Sequence, residues 1–313
     1  MGRRNKKGRN ITGIVVIDKP TGRSSNHVLQ QVKRLFDAKK AGHTGALDPL
    51  ATGVLPICLG EATKVSSYLL DADKAYHVTC KLGEVTDSGD ADGEVLSTSD
   101  IPEFDEQTIV DLLPRFMGEQ DQVPPMFSAL KYKGQPLYKL ARQGIEVERK
   151  SRRITIYDIQ LLSITKESFT LAVRCSKGTY IRTLVEDISH ALGSGGHVVM
   201  LRRVTAAGYD LEQAITIEQL EAIAEKGLDV LDEELLPTED ALSEWPSIIA
   251  TDEMVVALRH GQTIKVEQDY LSANVRLFDM GKTFLGLGEM SEQGIVAPKR
   301  VFVDHQQQDS QTN

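Results

Sequence analysis

The chain has 313 residues, 41% hydrophobic and 26% charged, with a formal net charge of -9, which fits an ordinary globular protein of about two domains. No apolar run approaches the ~18 residues needed to span a bilayer. Cys58, Cys80 and Cys175 are far apart and outside any CxxC pair, which argues against a disulfide framework or a thiolate metal site. The charge is segregated: residues 1–45 hold eleven Lys/Arg against two Asp/Glu, and residues 131–153 hold eight against two. Residues 82–122 hold twelve acids against one base, and residues 210–253 fourteen against one. Such a pattern lets basic faces bind a polyanion while acidic faces repel it and orient it.

The first ten residues, "MGRRNKKGRN", are basic and polar and read as a mobile tail. The "ITGIVVID" that follows is too short and too β-branched for a signal peptide, so the expected location is cytoplasmic. "GIVVIDKP" reads as a buried strand ending at Pro20, and a helix follows from Ser24 with Val28, Val32, Leu35 and Phe36 on one face. Then comes "GHTGALDPLATG", a second apolar strand "VLPICLG", a helical "EATKVSSYLL", and "KAYHVTCKLG", which alternates so that Tyr76, Val78, Cys80 and Leu82 share a face. "GEVTDSGDADGEV" is a hairpin or loop. An EF-hand reading of it fails, because Ser88 and Ser99 occupy the first ligand and bidentate glutamate positions.

"DEQTIVDLLPRFMG" reads as a helix, "QVPPMFSALKYKGQPLYKLARQG" as a loop entering a basic helix, and residues 154–193 as two or three strands and a helix closed by Gly193. Residues 229–245 read as a helix and connector. Beyond about Ile248, short alternating runs separated by glycines indicate a small β-barrel of about sixty residues.

The sequence has no GxxxxGK[ST], no GxSxG and no HExxH, so neither a metal nor a nucleotide cofactor is expected. Asp48 precedes Pro49, which stiffens its backbone, and Gly45 and Gly53 permit close approach of another chain or a ligand. Such a carboxylate is either ordinary turn chemistry or a reactive group held still. In "KGTYIRTL", Tyr180 and Arg182 share a face if the segment is extended. A buried Arg182 needs an anionic partner, and Asp48 is the carboxylate whose purpose is otherwise unassigned.

"GHTGALDPLATGVLPICLGEATK", "KAYHVTCKLGEVTDSGDADGEV", "KGTYIRTLVEDI" and "GGHVVMLRRV" resemble, in order and spacing, the TruB family of tRNA pseudouridine synthases from about Gly13 to Asp210. The C-terminal part resembles a PUA RNA-binding domain more loosely. The resemblance implies an α+β catalytic domain with a mixed, largely antiparallel sheet flanked by helices, followed by a small PUA-like β-barrel. The expected divisions are a basic tail at 1–10, the catalytic domain at 11–247, the PUA-like domain at 248–306 and a disordered tail at 307–313.

The implied reaction converts uridine at position 55 in the T loop of tRNA to pseudouridine, through base flipping and without a cofactor. By the same resemblance catalysis falls to Asp48, Tyr76 and Arg182: the carboxylate assists cleavage of the glycosidic bond, Tyr76 stacks on the uracil and is proposed to take the C5 proton, and Arg182 pairs with Asp48. His43 would hold the opened T loop, Tyr180 and Leu201 would line the uracil pocket, and Lys19 and Pro20 would support it. The expected partner is the T-arm stem-loop, with no membrane and no obligate protein partner, and the expected state is a monomer. Two alternatives stay open: a non-catalytic RNA-binding or tRNA-folding protein, and a guide-dependent synthase of the dyskerin type.

Overall fold

The computed structural model describes residues 8–267 and 273–302. Of the expected terminal tails, residues 1–7 and 307–313 lie outside the described residues, as do 303–306 of the expected C-terminal domain. Arg9, inside the expected basic tail, is tied down: its guanidinium donates to both carboxylate oxygens of Asp232 at 3.0 and 2.7 Å.

Among the described residues, ten strands form one sheet: β1 (Gly13–Lys19), β2 (Ala41–His43), β3 (Thr52–Leu59), β4 (Lys74–Leu82), β5 (Gly118–Gln122), β6 (Arg152–Ile164), β7 (Ser168–Cys175), β8 (Gly196–Ala206), β9 (Tyr209–Asp210) and β10 (Ile215–Thr216). The order is β10-β1-β3-β8-β4-β7-β6-β5, with β2 on β3 and β9 on β8. Only β1/β10 and β3/β8 pair in parallel, so the sheet is mixed and largely antiparallel, as expected.

The helix expected after Ser24 is α1 (Ser25–Leu35); the Ser24 side chain accepts from the His27 N–H at 3.2 Å, satisfying one of the donors a helix start leaves open. The second long helix, α2 (Ile181–Leu192), ends at Gly193, whose φ of 94° is the left-handed conformation that suits glycine.

The unbroken apolar run of β1 has a direct cause. Val15 and Ile17 pack with Leu55 and Ile57 against Val28 and Val32 of α1, while Ile14 and Val16 face the other way, into a cluster with Val54, Cys58 and Tyr209. Both faces are therefore covered, which removes the apolar–polar alternation of a half-exposed strand. Each fully buried side chain of this kind contributes about 1.5–3 kcal/mol relative to exposure.

The second cluster is completed by the C-terminal sheet, β11 (Ser247–Ala250), β12 (Ile264–Lys265), β13 (Ala273–Asp279), β14 (Phe284–Met290) and β15 (Ile295–Val301), in the order β11-β13-β14-β15-β12. Leu287, Phe284 and Phe302 reach the β1 and β3 face, and Trp245 meets Tyr68 edge-on with ring centroids 5.1 Å apart. A helix, Asp252–Arg259, interrupts these strands where only strands were expected; Thr251 caps it. The expected basic helix after Lys131 is shorter than read, Leu137–Ala141. No helix among the described residues is long and apolar enough to cross a membrane.

Candidate active site

The Asp48 turn is clamped from below. Ser25, the first residue of α1, accepts from the Leu47 N–H at 2.7 Å and donates to the Leu47 carbonyl at 3.0 Å. Lys19, at the end of β1 and fully buried, donates to the carbonyls of Pro20 (2.8 Å), Pro49 (3.3 Å) and Ala51 (2.6 Å). The turn closes on itself through the Ala51 N–H and Asp48 carbonyl at 3.1 Å. Four fixed contacts to backbone on either side of one residue leave its side chain little freedom of position.

That side chain meets Arg182. Asp48 Oδ2 lies 3.1 Å from Arg182 Nε, so the pairing inferred from the sequence is present. The route differs from the one inferred, because the segment is not a strand: Tyr180 is the extended residue that caps α2, and Arg182 stands in the first turn of the helix. The two side chains reach one pocket across a strand-like-to-helix transition rather than by alternation. The Tyr180 backbone is held there by Gln122 of β5, which accepts from its N–H at 2.8 Å and donates to its carbonyl at 3.0 Å.

Arg182 is buried and serves a second acid as well. Its Nη1 lies 3.4 Å from Asp90 Oδ2 and donates to the Ser88 carbonyl at 2.6 Å, while Nη2 donates to the Phe127 carbonyl at 2.6 Å. One cation thus stands between two carboxylates and two carbonyls, a geometry the planar guanidinium allows and an ammonium does not. Asp90 lies in the acidic "TDSGDADG" loop and was not singled out in the sequence; nothing separates it there from its exposed acidic neighbours. The loop is pinned beside the sheet by Val198, which accepts from the Ala91 N–H and donates to the Gly89 carbonyl.

Asp48, Tyr76, Tyr180, Arg182 and Leu201 line one cavity of about 310 Å³, together with Lys74, Ser128 and Arg203. His43, Lys19 and Pro20 do not line it. Lys19 sits behind the turn, and His43 on β2 accepts from the Gly45 N–H at 3.4 Å through Nδ1. The Asp48 side chain is 41% exposed and lines this cavity. Burial raises its pKa above the usual aspartate value, Arg182 opposes the rise, and Asp90 adds to it. Burial also pushes the Tyr76 phenol up to about 12, against the opposing charge of Arg203.

Arg203 and Lys74 are the other residues the sequence reading passed over. Arg203 follows Leu201 by two on β8 and so shares its inward face, a charged residue at a core position. That spacing in "LRRV" was the available signal. Gly53, with φ of 102°, lets β3 run beside β8 here: a Cβ would fall inside the Arg203 backbone.

One turn beyond Arg182 on α2 lies Glu186, whose carboxyl burial pushes up to about 7 despite the Arg182 charge. The folded state therefore holds a proton that the unfolded state has released above its ordinary value of 4.5, and stability from this group falls as pH rises from 4.5 to 7. Glu186→Gln is expected to raise stability at pH 8 by about 1–2 kcal/mol, allowing for partial solvent screening, and to change nothing at pH 4. Denaturant titrations at the two pH values test this.

Residues 33–181 match the TruB family pseudouridylate synthase (N terminal domain), residues 182–243 the tRNA pseudouridylate synthase B C-terminal domain, and residues 246–302 the domain described as pseudouridine synthase II TruB, C-terminal. The chain is 51% identical to tRNA pseudouridine synthase B of Nitrosococcus oceani, over 95% of this chain and 96% of the relative. The chain belongs to the TruB family. A second member, tRNA pseudouridine synthase B of Vibrio cholerae, is also 51% identical, over 96% of this chain and 98% of the relative. Among solved structures, a Cbf5-Nop10-Gar1 complex contains a similar chain, with a TM-score of 0.73 and 26% identity, covering 94% of this chain and 86% of that one. The Asp48 turn and β4 fall in the first of the three domain matches, and Arg182 and β8 in the second.

Proposed function

We propose that this chain isomerises uridine to pseudouridine at position 55 in the T loop of tRNA. The observation that carries the reading is the Asp48–Arg182 pair at the wall of a cavity also lined by Tyr76, in a chain 51% identical to tRNA pseudouridine synthase B proteins. The reaction moves the glycosidic bond from N1 to C5 with no change of oxidation state, so a carboxylate held in the ionised form has the chemistry it requires. Asp48 serves either by adding to the ribose C1′ or by removing the C2′ proton, and both need its anion. Arg182 positions that anion, and Asp90 fixes Arg182 from the far side.

A uridine inside a folded loop must first be flipped out, at a cost of a few kcal/mol. Stacking on the Tyr76 ring recovers about 1–3 kcal/mol of this. Tyr180 and Leu201 bound the base, Lys19 and Pro20 support the turn, and His43, outside the cavity, is left for the opened T loop. The basic segment 131–153 follows directly on Ser128 and Ala129 at the cavity, so phosphates of the T arm have a cationic surface beside the entrance. On this reading residues 11–247 carry the chemistry, and residues 248–306 form a PUA-like unit that adds RNA-binding surface.

The test uses the purified chain and a bare T-arm stem-loop transcript, with pseudouridine mapped chemically at each position. Conversion confined to the uridine at position 55, without added protein or guide RNA, is expected. Conversion only with a guide would support the dyskerin-type alternative, and binding without conversion would support a tRNA-folding protein.

A further inference from the structure

Two buried cations in the cavity have no role in the mechanism above. Arg203 is 1% exposed and Lys74 9%, and both line the cavity that holds Asp48 and Tyr76. They stand side by side: a Cβ built on Gly45 would lie 3.5 Å from Arg203 Nη1 and 3.6 Å from Lys74 Cε. Arg203 donates to the carbonyls of Val54 (2.7 Å) and Gly45 (3.1 Å), and Lys74 to those of Leu70 (3.0 Å) and Ala72 (2.6 Å). Among the described residues, neither forms an ion pair with a carboxylate. Carbonyl dipoles hold the two groups in place but do not neutralise them, and their mutual repulsion adds to the cost of burial. Lys74 accordingly holds its proton less tightly than usual, through burial and then the Arg203 charge.

We infer that Lys74 and Arg203 form a cationic wall that stabilises the uracil anion released when the glycosidic bond breaks. The inference rests on the function proposed above. When N1–C1′ breaks, both electrons leave with the base, while Asp48 either supplies an electron pair to C1′ or takes the C2′ proton. The base turns, and the C5 electron pair forms the C5–C1′ bond as the Asp48–C1′ bond breaks or as Asp48 returns its proton to C2′; the C5 proton then leaves to a base and N1 takes a proton, so Asp48 is regenerated as the carboxylate and atoms and charge balance.

Uracil is neutral before this step and anionic during it. Fixed cations lining the same cavity as Asp48 therefore favour the transition state over the bound substrate, which is the condition for raising the chemical rate. A phosphate is the competing occupant, but it is charged before and after the reaction, and groups only 1% and 9% exposed suit the edge of an inserted base better than a backbone left at the mouth. Arg203 also acts on the Tyr76 hydroxyl, favouring its ionised form, so the same charge assists when the C5 proton moves.

The experiment compares single-turnover loss of the original nucleoside, followed by mass spectrometry, in T-arm stem-loops carrying uridine or 5-fluorouridine at the target position. Fluorine withdraws electrons and makes the base a better leaving group that needs less help. Lys74→Met is expected to slow uridine by about 10-fold or more and 5-fluorouridine by about 3-fold or less. Lys74→Arg regains most of the loss, and stem-loop affinity stays within about 2-fold. Arg203→Lys carries the same comparison should Lys74→Met fail to fold.

Equal slowing of the two substrates, or lost affinity with a shallower salt dependence, overturns the wall and leaves the function standing. A wild-type chain that leaves uridine unconverted overturns both.

Discussion

Asp48→Asn is expected to lower the rate of pseudouridine formation by about 10⁴-fold or more while the affinity for tRNA stays within about 2-fold. An amide can neither add to C1′ nor remove a proton from C2′, so both routes open to Asp48 close together. The fold has little to lose. The turn is held by Ser25, Lys19 and its own backbone, and among the described residues the carboxylate pairs with Arg182, which keeps Asp90.

Stability follows the sign of the pKa. Asp48 is raised above its unfolded value, so ionising it in the folded state works against folding as pH rises through the folded pKa. The substitution removes that opposition, and the variant should melt at or slightly above the wild-type temperature near neutral pH. Chemical mapping of pseudouridine, filter binding of tRNA and a thermal melt together check the claim. Retained conversion would remove Asp48 from the mechanism, and a lost fold would show that the turn needs the carboxylate.

Arg182→Met removes the cation that two acids share. Breaking a buried pair leaves uncompensated charge, and the expected cost is about 3–5 kcal/mol in denaturant unfolding. Catalysis should change in a different way. With the opposing charge gone, the Asp48 pKa climbs further, the anionic fraction at neutral pH shrinks, and the activity that depends on it reappears only as pH rises.

The expected result is a loss of about 10²–10³-fold in kcat/KM at neutral pH, partly regained toward alkaline pH, with the rising limb of the profile displaced upward. Arg182→Lys keeps the charge without the planar fork that spans Asp48, Asp90 and two carbonyls, and should fall between the two. A profile that drops in height without moving would assign Arg182 to orientation alone.

The strands, the two long helices and the Asp48–Arg182 pair were legible in the sequence because each follows from local chemistry. Apolar runs set the strands, Ser24 and Gly193 mark helix ends, and a buried arginine demands an acid. Asp90, Lys74 and Arg203 were not legible for a different reason. Each becomes significant only through what the topology places opposite it: Asp90 through the start of α2, Arg203 through Tyr76 on the neighbouring strand. Whether "TYIRT" is extended or helical stayed open in the sequence for a related reason. An arginine needs to reach inward, and the first turn of a helix achieves that as well as a strand.

The two covered faces of β1 carry a consequence for how reliably the chain finds its fold. A strand with one wet face is held in register by its pattern, because a slip of one residue exposes every apolar side chain. Ile14 through Ile17 have no such pattern, since a shifted β1 would bury much the same surface. What distinguishes the correct alignment is the strand's charged end: Asp18 accepts from both terminal nitrogens of Arg202 at 3.1 and 2.7 Å, and Lys19 seats under the Asp48 turn. A chain paired one residue out would bury Lys19 away from the carbonyls of Pro49 and Ala51. The lysine that supports the active-site turn thus also acts as a proofreading mark, penalising misaligned pairings before the site is complete.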